Sequence, residues 1–258
     1  MIIFNTDLDN TMIYSYKHDI GEDKRCVEIY QGREVSFVTN KTARLLKKVS
    51  NEVVLVPTTT RTLEQYDRID LGIGTPKYAL VCNGGVLLVD GEEDDDWYRE
   101  SLDRVADCQE ELARAERILE DDKNRTFEIR NIRSLFVFTK SSEPELSVKA
   151  LRDALDTEKT DVFYNGVKVY AVPKALGKGA AVKRLRERLG GDYVISAGDS
   201  EFDVPLLNSA DTAIAPRDFP EPEKLGQNAV FMDKEGIFSE FVLEKVLEIA
   251  ENRRANAR

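Results

Sequence analysis

Ile2-Ile3-Phe4-Asn5-Thr6-Asp7-Leu8-Asp9-Asn10-Thr11 opens the chain with a short apolar run that ends in two carboxylates. A run of this length and composition predicts a buried strand over residues 1–6 that delivers acids at its C-terminal end. The pattern recurs downstream. Val53-Val54-Leu55-Val56 ends at Pro57-Thr58-Thr59-Thr60-Arg61, Tyr78-Ala79-Leu80-Val81-Cys82 at Asn83-Gly84-Gly85, and Tyr193-Val194-Ile195-Ser196-Ala197 at Gly198-Asp199. Helical stretches separate these runs, at 42–49, 62–69 and 179–189. Continuous apolar strands alternating with helices predict an α/β fold, a doubly wound parallel sheet covered on both faces. Ligands of such sheets sit beyond the carboxyl ends of the strands, where all four polar clusters fall.

Two regions depart from this alternation. Residues 26–38, Cys26-Val27-Glu28-Ile29-Tyr30-Gln31-Gly32-Arg33-Glu34-Val35-Ser36-Phe37-Val38, alternate about Gln31-Gly32 and predict a β-hairpin beside the site. Residues 86–172 read as a small inserted α/β domain of the order αββαββ. Its parts are a long helix over 101–120, strands over 125–130 and 134–140, a helix over 143–155, and a hairpin turning on Asn165-Gly166. The expected division is a core of residues 1–85 with 173–258 and a cap of 86–172, its entry and exit strands serving as hinges. The acidic run from Glu92 to Asp96 is read as solvated surface.

Composition narrows the function classes. With 41% hydrophobic and 33% charged residues among 258, the chain reads as a globular protein with a sizeable core. No apolar run approaches the roughly 20 residues of a membrane helix, and no basic flank precedes the first apolar stretch, so a cytoplasmic protein without a membrane partner is expected. A net charge of −11 argues against nucleic acid as partner. A small anionic substrate remains compatible, because a cation and a few basic groups can reverse the field inside one cleft. Cys26, Cys82 and Cys108 are widely spaced and odd in number, so neither disulfides nor a zinc site is indicated. His18 is the only histidine, so acid–base chemistry must come from carboxylates, Lys or Tyr.

Asp7 and Asp9, at positions i and i+2, can face one cleft where the strand ends. Two carboxylates held this close share a proton or need a cation, and a hard, oxygen-ligated Mg²⁺ would keep Asp7 ionised. An ionised Asp7 can attack phosphorus to give an aspartyl-phosphate, and Asp9 can protonate the leaving oxygen and later deprotonate water.

Asp7-Leu8-Asp9-Asn10-Thr11 resembles the first motif of the haloacid dehalogenase superfamily of phosphatases. The later clusters resemble its other motifs, in order, in the Cof-type and sucrose-phosphatase-like branch known as class IIB. Thr59-Thr60-Arg61 looks like that branch's Thr-Gly-Arg, with Thr60 in place of Gly. The resemblance implies that a threonine here binds the transferring phosphoryl group; Thr58 and Thr59 both qualify, and Thr59 keeps Arg61 in register as a substrate-binding residue. Asn83-Gly84 resembles the Asn-Gly that contacts substrate before the cap. Pro173-Lys174-Ala175-Leu176-Gly177-Lys178-Gly179 resembles the return from cap to core and implies that Lys178 offsets the charge of nucleophile and phosphate. Gly198-Asp199-Ser200-Glu201-Phe202-Asp203 resembles Gly-Asp-x-x-Asn-Asp, with Phe202 in place of Asn. It implies metal ligands at Asp199 and Asp203 beside Asp7 and Asp9.

The resemblance implies a Rossmann-like core and a Mg²⁺-dependent phosphomonoesterase acting on a small phosphorylated metabolite, with sugar phosphates the expected class. A phosphotransferase or mutase would use the same aspartyl-phosphate. A receiver-like regulatory module would use a phosphorylated Asp without a leaving-group acid or a cap. Arg130, Asn131, Arg133 and Tyr164 in the cap are candidates for reaching the leaving group, or ordinary surface. The residues do not define an oligomeric state.

Overall fold

The computed structural model describes residues 1–256, which fall into two compact units: Met1–Glu93 with the chain from Lys178 onward, and Asp94–Gly177. The first is built on a five-stranded sheet in the order Ala229–Phe231, Thr212–Ala215, Tyr193–Ala197, Ile2–Thr6, Val54–Pro57. Every pairing in it is parallel. Phe4, Leu55, Ile195 and Ile214 share one face in a core cluster with Leu46 and Val49 of the helix Asn40–Glu52 and Phe241, Val242 and Val246 of the helix Phe238–Asn256. Ala213 and Ala215, which alternate with Ile214, instead pack with Leu207 of the helix Val204–Asn208. Helices therefore cover both faces, which is the α/β fold read from the apolar runs, with the Ile2–Thr6 strand fully internal in the sheet.

Tyr78–Val81 meets the sheet differently from its sequence reading. A single parallel bridge, Thr58 to Leu80, extends the sheet beyond Val54–Pro57. The strand's main ladder is an antiparallel hairpin with Val86–Val89, which pairs in turn with Glu92–Glu93. This three-stranded ribbon belongs to the first unit, so that unit runs on past residue 85 to Glu93. The expected hairpin forms as Lys24–Tyr30 against Arg33–Thr39, with Tyr14–Ser15 added on its other edge. Register shifts interrupt its ladder between Cys26 and Glu28 and again before Ile29. Among the described residues no helix is long and apolar enough to cross a membrane.

The second unit is a four-stranded antiparallel sheet in the order Thr160–Asn165, Lys168–Pro173, Phe136–Lys140, Arg130–Ile132. Val137, Val162, Val169 and Ala171 pack with Leu112, Ala115 and Leu119 of the helix Gln109–Glu120 and with Val148 and Leu151 of the helix Pro144–Ala154. Two local expectations are corrected. The long helix over 101–120 is two helices, Asp95–Arg104 and Gln109–Glu120, separated by a 3₁₀ turn over Ala106–Cys108. Val105 and Cys108 are both buried at this break, and the Gln109 side chain donates to the Val105 carbonyl. The strand expected over 125–130 is found instead at Arg130–Ile132; before it the chain is held by an isolated bridge from Arg125 to Ser141, by the Thr126 amide on the Lys140 carbonyl at 2.8 Å, and by the Thr139 hydroxyl, which donates to the Phe127 and Glu128 carbonyls. In the acidic run, Asp94 caps the helix Asp95–Arg104 by accepting from the Trp97 amide at 2.8 Å, and Asp95 and Asp96 occupy its first turn, where the helix dipole favours acids.

Candidate active site

Asp7 leaves the central strand with its amide bonded to the Ala197 carbonyl at 2.9 Å, one step before the chain turns into Gly198-Asp199. Parallel pairing of Ile2–Thr6 with Tyr193–Ala197 thus sets two acid-bearing loops side by side. Lys178, at the start of the helix Lys178–Leu189, is 4% exposed and joins them. Its ammonium donates to Asp7 Oδ1 and, at 2.7 Å, to Asp203 Oδ1. The other Asp203 oxygen accepts from the Asp199 amide at 3.1 Å, the Ser200 amide at 3.2 Å and the Ser200 hydroxyl at 3.0 Å. Asp203 therefore ties the 198–203 loop to Lys178. Thr11 donates to Asp199 Oδ1 at 3.1 Å and aims that carboxylate inward.

Two glycines make these approaches sterically feasible. A Cβ on Gly179 would lie 2.2 Å from the Pro205 carbonyl oxygen, and one on Gly198 would lie 2.3 Å from Asp203 Cβ. Neither contact is tolerable for a real side chain, so Gly179 lets the Lys178 helix dock and Gly198 lets Asp203 fold over its own loop.

The electrostatics are those of an acid cluster with too little positive charge. Asp7, Asp199 and Asp203 each present a carboxylate oxygen, all within 4.8 Å of one another. Burial, with Asp203, Asp199 and Asp9 adding to it, pushes the Asp7 carboxyl well above the usual carboxylate range against the pull of Lys178. Burial and Asp203 push Asp199 up to about 7. Burial alone would lower Lys178, but the Asp203 and Asp7 carboxylates outweigh it and hold the ammonium firmly protonated. A hard divalent cation suits this donor set: clustered carboxylates, partly buried, with one ammonium against their charge.

Asp9 is not part of that cluster. Its carboxylate is gripped by Arg61, whose Nε donates to Oδ2 at 2.8 Å and Nη2 to Oδ1 at 2.7 Å. The remaining nitrogen of Arg61 donates to Glu28 Oε1 at 2.9 Å, so the guanidinium is committed to two carboxylates. Thr58 and Thr59 are both buried, and their hydroxyls differ. Thr58 donates back to the Val56 carbonyl at 3.2 Å, whereas Thr59 accepts from the Arg61 amide at 3.1 Å. The Asn83 amide donates to the Thr59 carbonyl and the Cys82 amide to the Arg61 carbonyl, so the Cys82–Gly84 turn is stitched to the Thr59–Arg61 loop. Cys82 and Asn83 hold left-handed backbone, φ 52° and 59°, which brings those amides to bear. Phe202 lies half-buried in the 3₁₀ turn Glu201–Asp203.

The sequence gives no sign of Glu28, Ser36 and Arg68, which stand behind Arg61. Nothing in the alternation of residues 26–38 distinguishes Glu28 from a solvent-facing position. In the second unit the candidate residues engage one another or their neighbours: Arg130 pairs with Glu128, Asn131 donates to Glu116, Arg133 stacks over Tyr98 and Tyr164 donates to Glu145.

Residues 1–228 match the family model described as sucrose-6F-phosphate phosphohydrolase. A phosphoglycolate phosphatase from Methanopyrus kandleri is 28% identical over 169 residues, which are 64% of this chain and 70% of that protein. The sucrose-phosphatase of Synechocystis sp. PCC6803, solved with sucrose and phosphate, superposes with a TM-score of 0.65 at 15% identity, over 96% of this chain and 97% of that one. A haloacid dehalogenase-like hydrolase from Bacillus subtilis superposes with a TM-score of 0.56 at 14% identity, over 96% of this chain and 90% of that one. The chain belongs to the sucrose-6F-phosphate phosphohydrolase family, a class IIB branch of the haloacid dehalogenase superfamily, and is a phosphatase.

Proposed function

We propose that this phosphatase hydrolyses a small sugar phosphate through an aspartyl-phosphate on Asp7, with a divalent cation, Mg²⁺, held by Asp7, Asp199 and Asp203. The observation that carries the reading is Lys178, a buried ammonium shared by Asp7 and Asp203 beside a third carboxylate. The cation, when bound, supplies the positive charge that keeps Asp7 ionised and tolerates phosphate oxygens next to it.

In this reading the Asp7 carboxylate attacks phosphorus while Lys178 offsets the charge it shares with the phosphoryl group. The bond from phosphorus to the leaving oxygen breaks, and that oxygen takes its proton from Asp9, which carries it on an oxygen released from one arm of the Arg61 fork while the other arm keeps its hold. Asp9, now a carboxylate, removes a proton from water as the water attacks phosphorus. The bond to Asp7 then breaks and inorganic phosphate leaves, with Asp7 regenerated. Thr59 is assigned to the phosphoryl group in preference to Thr58, because its hydroxyl accepts from Arg61 and keeps its own proton to donate, whereas the Thr58 proton goes to Val56. Asn83 and Gly84 are assigned to substrate contact. The inserted unit is assigned the part of a cap that distinguishes one leaving group from another. The family's name and the sucrose-phosphatase likeness support a sugar phosphate as substrate.

The test is release of inorganic phosphate from a panel of sugar phosphates and phosphoglycolate, with Mg²⁺ and with chelator. Wild type should turn over with Mg²⁺ only, and Asp7→Asn should lose at least about 10⁴-fold in kcat, the loss expected when a nucleophile is removed. Full turnover by Asp7→Asn would rule out the covalent route. Transfer of the phosphoryl group to a second sugar hydroxyl, with no phosphate released, would replace the hydrolase with a mutase.

A further inference from the structure

The hairpin Lys24–Tyr30 and Arg33–Thr39 carries a buried acid that the reaction scheme does not use. Alternation along a strand should bury Val27 and Ile29 on one face and leave Glu28 on the other. The structure buries Val27 and Glu28 in succession, at 4% and 3% exposure, and leaves Ile29 at 60%. The register shift between Cys26 and Glu28 accounts for this: Cys26 pairs with Phe37 and Glu28 with Ser36, so an extra residue is accommodated and the carboxylate is turned inward. Bulges of this kind re-aim a side chain beside a site, and here the cost is a buried charge.

That charge is fully answered. Glu28 Oε2 accepts from the Ser36 hydroxyl at 2.5 Å, and Oε1 accepts from Arg61 Nη1 at 2.9 Å and Arg68 Nε at 3.2 Å. Arg68 is itself held over the Tyr30 ring at 4.4 Å from the centroid. With Glu28 behind it, Arg61 has one rotational setting in which Nε and Nη2 point forward as a fork, and both oxygens of Asp9 sit in that fork. The Asp9 side chain is 52% exposed, whereas Arg61 is 14% exposed and Glu28 3%. Order therefore runs from the buried hairpin acid outward to the exposed carboxylate.

We propose that Glu28 is a positioning residue for the phosphatase reaction, acting through the Arg61 fork to fix the Asp9 carboxylate relative to Asp7. This rests on Asp9 as the acid–base group and extends that assignment to the hairpin. It also gives Arg61 a task other than holding substrate, and the two tasks separate kinetically: loss of positioning lowers kcat, loss of a substrate contact raises KM.

The experiment uses the full chain with Mg²⁺ and 4-nitrophenyl phosphate, after wild type has been shown to turn over and Asp7→Asn to be inactive. Failure there defeats the reaction scheme itself, before Glu28 is in question. Glu28→Gln should lower kcat by about 10-fold or more, since small misplacements of a catalytic group cost up to about 10²-fold. KM and the inhibition constant of inorganic phosphate should stay within about 3-fold, because Asp7, Lys178 and Thr59 are untouched. In the Arg61→Ala background Glu28→Gln should cost less than about 2-fold more, since the two residues form one chain of contacts. Ser36→Ala loosens Glu28 while keeping its charge, so it should lower kcat in the same direction and by less; it serves as the test if Glu28→Gln does not fold. A rise in KM with kcat unchanged, additive losses in the double variant, or no kcat effect of either variant would overturn the proposal.

Discussion

Asp199 is the residue whose environment makes the sharpest solution prediction. Burial and Asp203 raise its carboxyl from the usual 3.8 to about 7 in the folded protein. An acid with a raised folded pKa takes up a proton on folding between those values, so stability is highest on the acid side and falls as pH rises through 7. Chelator-treated protein should therefore lose stability between about pH 4 and pH 7 in urea titrations, and saturating Mg²⁺ should flatten that stretch. The contribution of Asp199 is read as the difference between chelated wild type and Asp199→Asn: a difference that does not grow in favour of the variant between about pH 4 and pH 7 would contradict the electrostatics of the cluster. Asp7 and Asp199 are legible in the amino-acid sequence because each stands where an apolar run stops, while Lys178, Asp203 and Thr59 are picked out by the resemblance of their motifs; the structure brings Asp7, Lys178, Asp199 and Asp203 together. Two things are not legible there. Arg61 is shared between Asp9 and Glu28, and Glu28 faces inward because of a register shift that leaves no local trace in composition. The choice between Thr58 and Thr59 needs hydroxyl directions, which depend on which backbone groups the strand leaves unpaired.

The helix Lys178–Leu189 shows how a secondary structure element transmits packing to chemistry. Gly179 lies against the Pro205 carbonyl, and Lys178 is the residue before it. Gly179→Ala should force the helix away from 204–208, with a stability loss of about 1–3 kcal/mol as for other overpacked contacts, read from urea unfolding. Activity should fall further than stability, because the shift withdraws the ammonium from Asp7 and Asp203; an active variant with only the stability loss would place Lys178 outside the machinery. The helices Asn40–Glu52 and Lys178–Leu189 are legible almost to their ends, whereas the helix read at 62–69 is a single turn, Leu63–Tyr66, with no buried residue to extend it. Where sequence and structure part, the physical causes lie in distant groups. The helix break at Ala106–Cys108 contains neither Gly nor Pro and is made by burying Val105 and Cys108 while Gln109 satisfies a carbonyl. In place of the strand over 125–130 there are one backbone bridge at Arg125 and a threonine hydroxyl bonded to two carbonyls.

For the protein taken entire, a cation held by the acid cluster as proposed would couple folding to metal. A ligand present at about 100 times its dissociation constant stabilises the folded state by about 2.7 kcal/mol. Saturating Mg²⁺ should then raise the thermal transition by about 5–10 °C for a chain of this size. Asp199→Asn, which relieves part of the charge excess, should make the chelated protein more stable than wild type while shrinking the Mg²⁺ shift. A shift of equal size in both would place the cation elsewhere. The division into two units has a further result, in the order of synthesis. Residues 94–177 form one uninterrupted segment with its own sheet and core cluster, so all its pairing partners are made together. Those of the Asp7 strand are not: one of its sheet neighbours is Tyr193–Ala197, and the strand is translated almost two hundred residues earlier. At about 5–20 residues per second, the strand that bears Asp7 waits about ten seconds or more before that neighbour exists. The strand that bears Asp7 is thus made well before the neighbour it pairs with, and the acid cluster can be assembled only after the intervening unit has been translated.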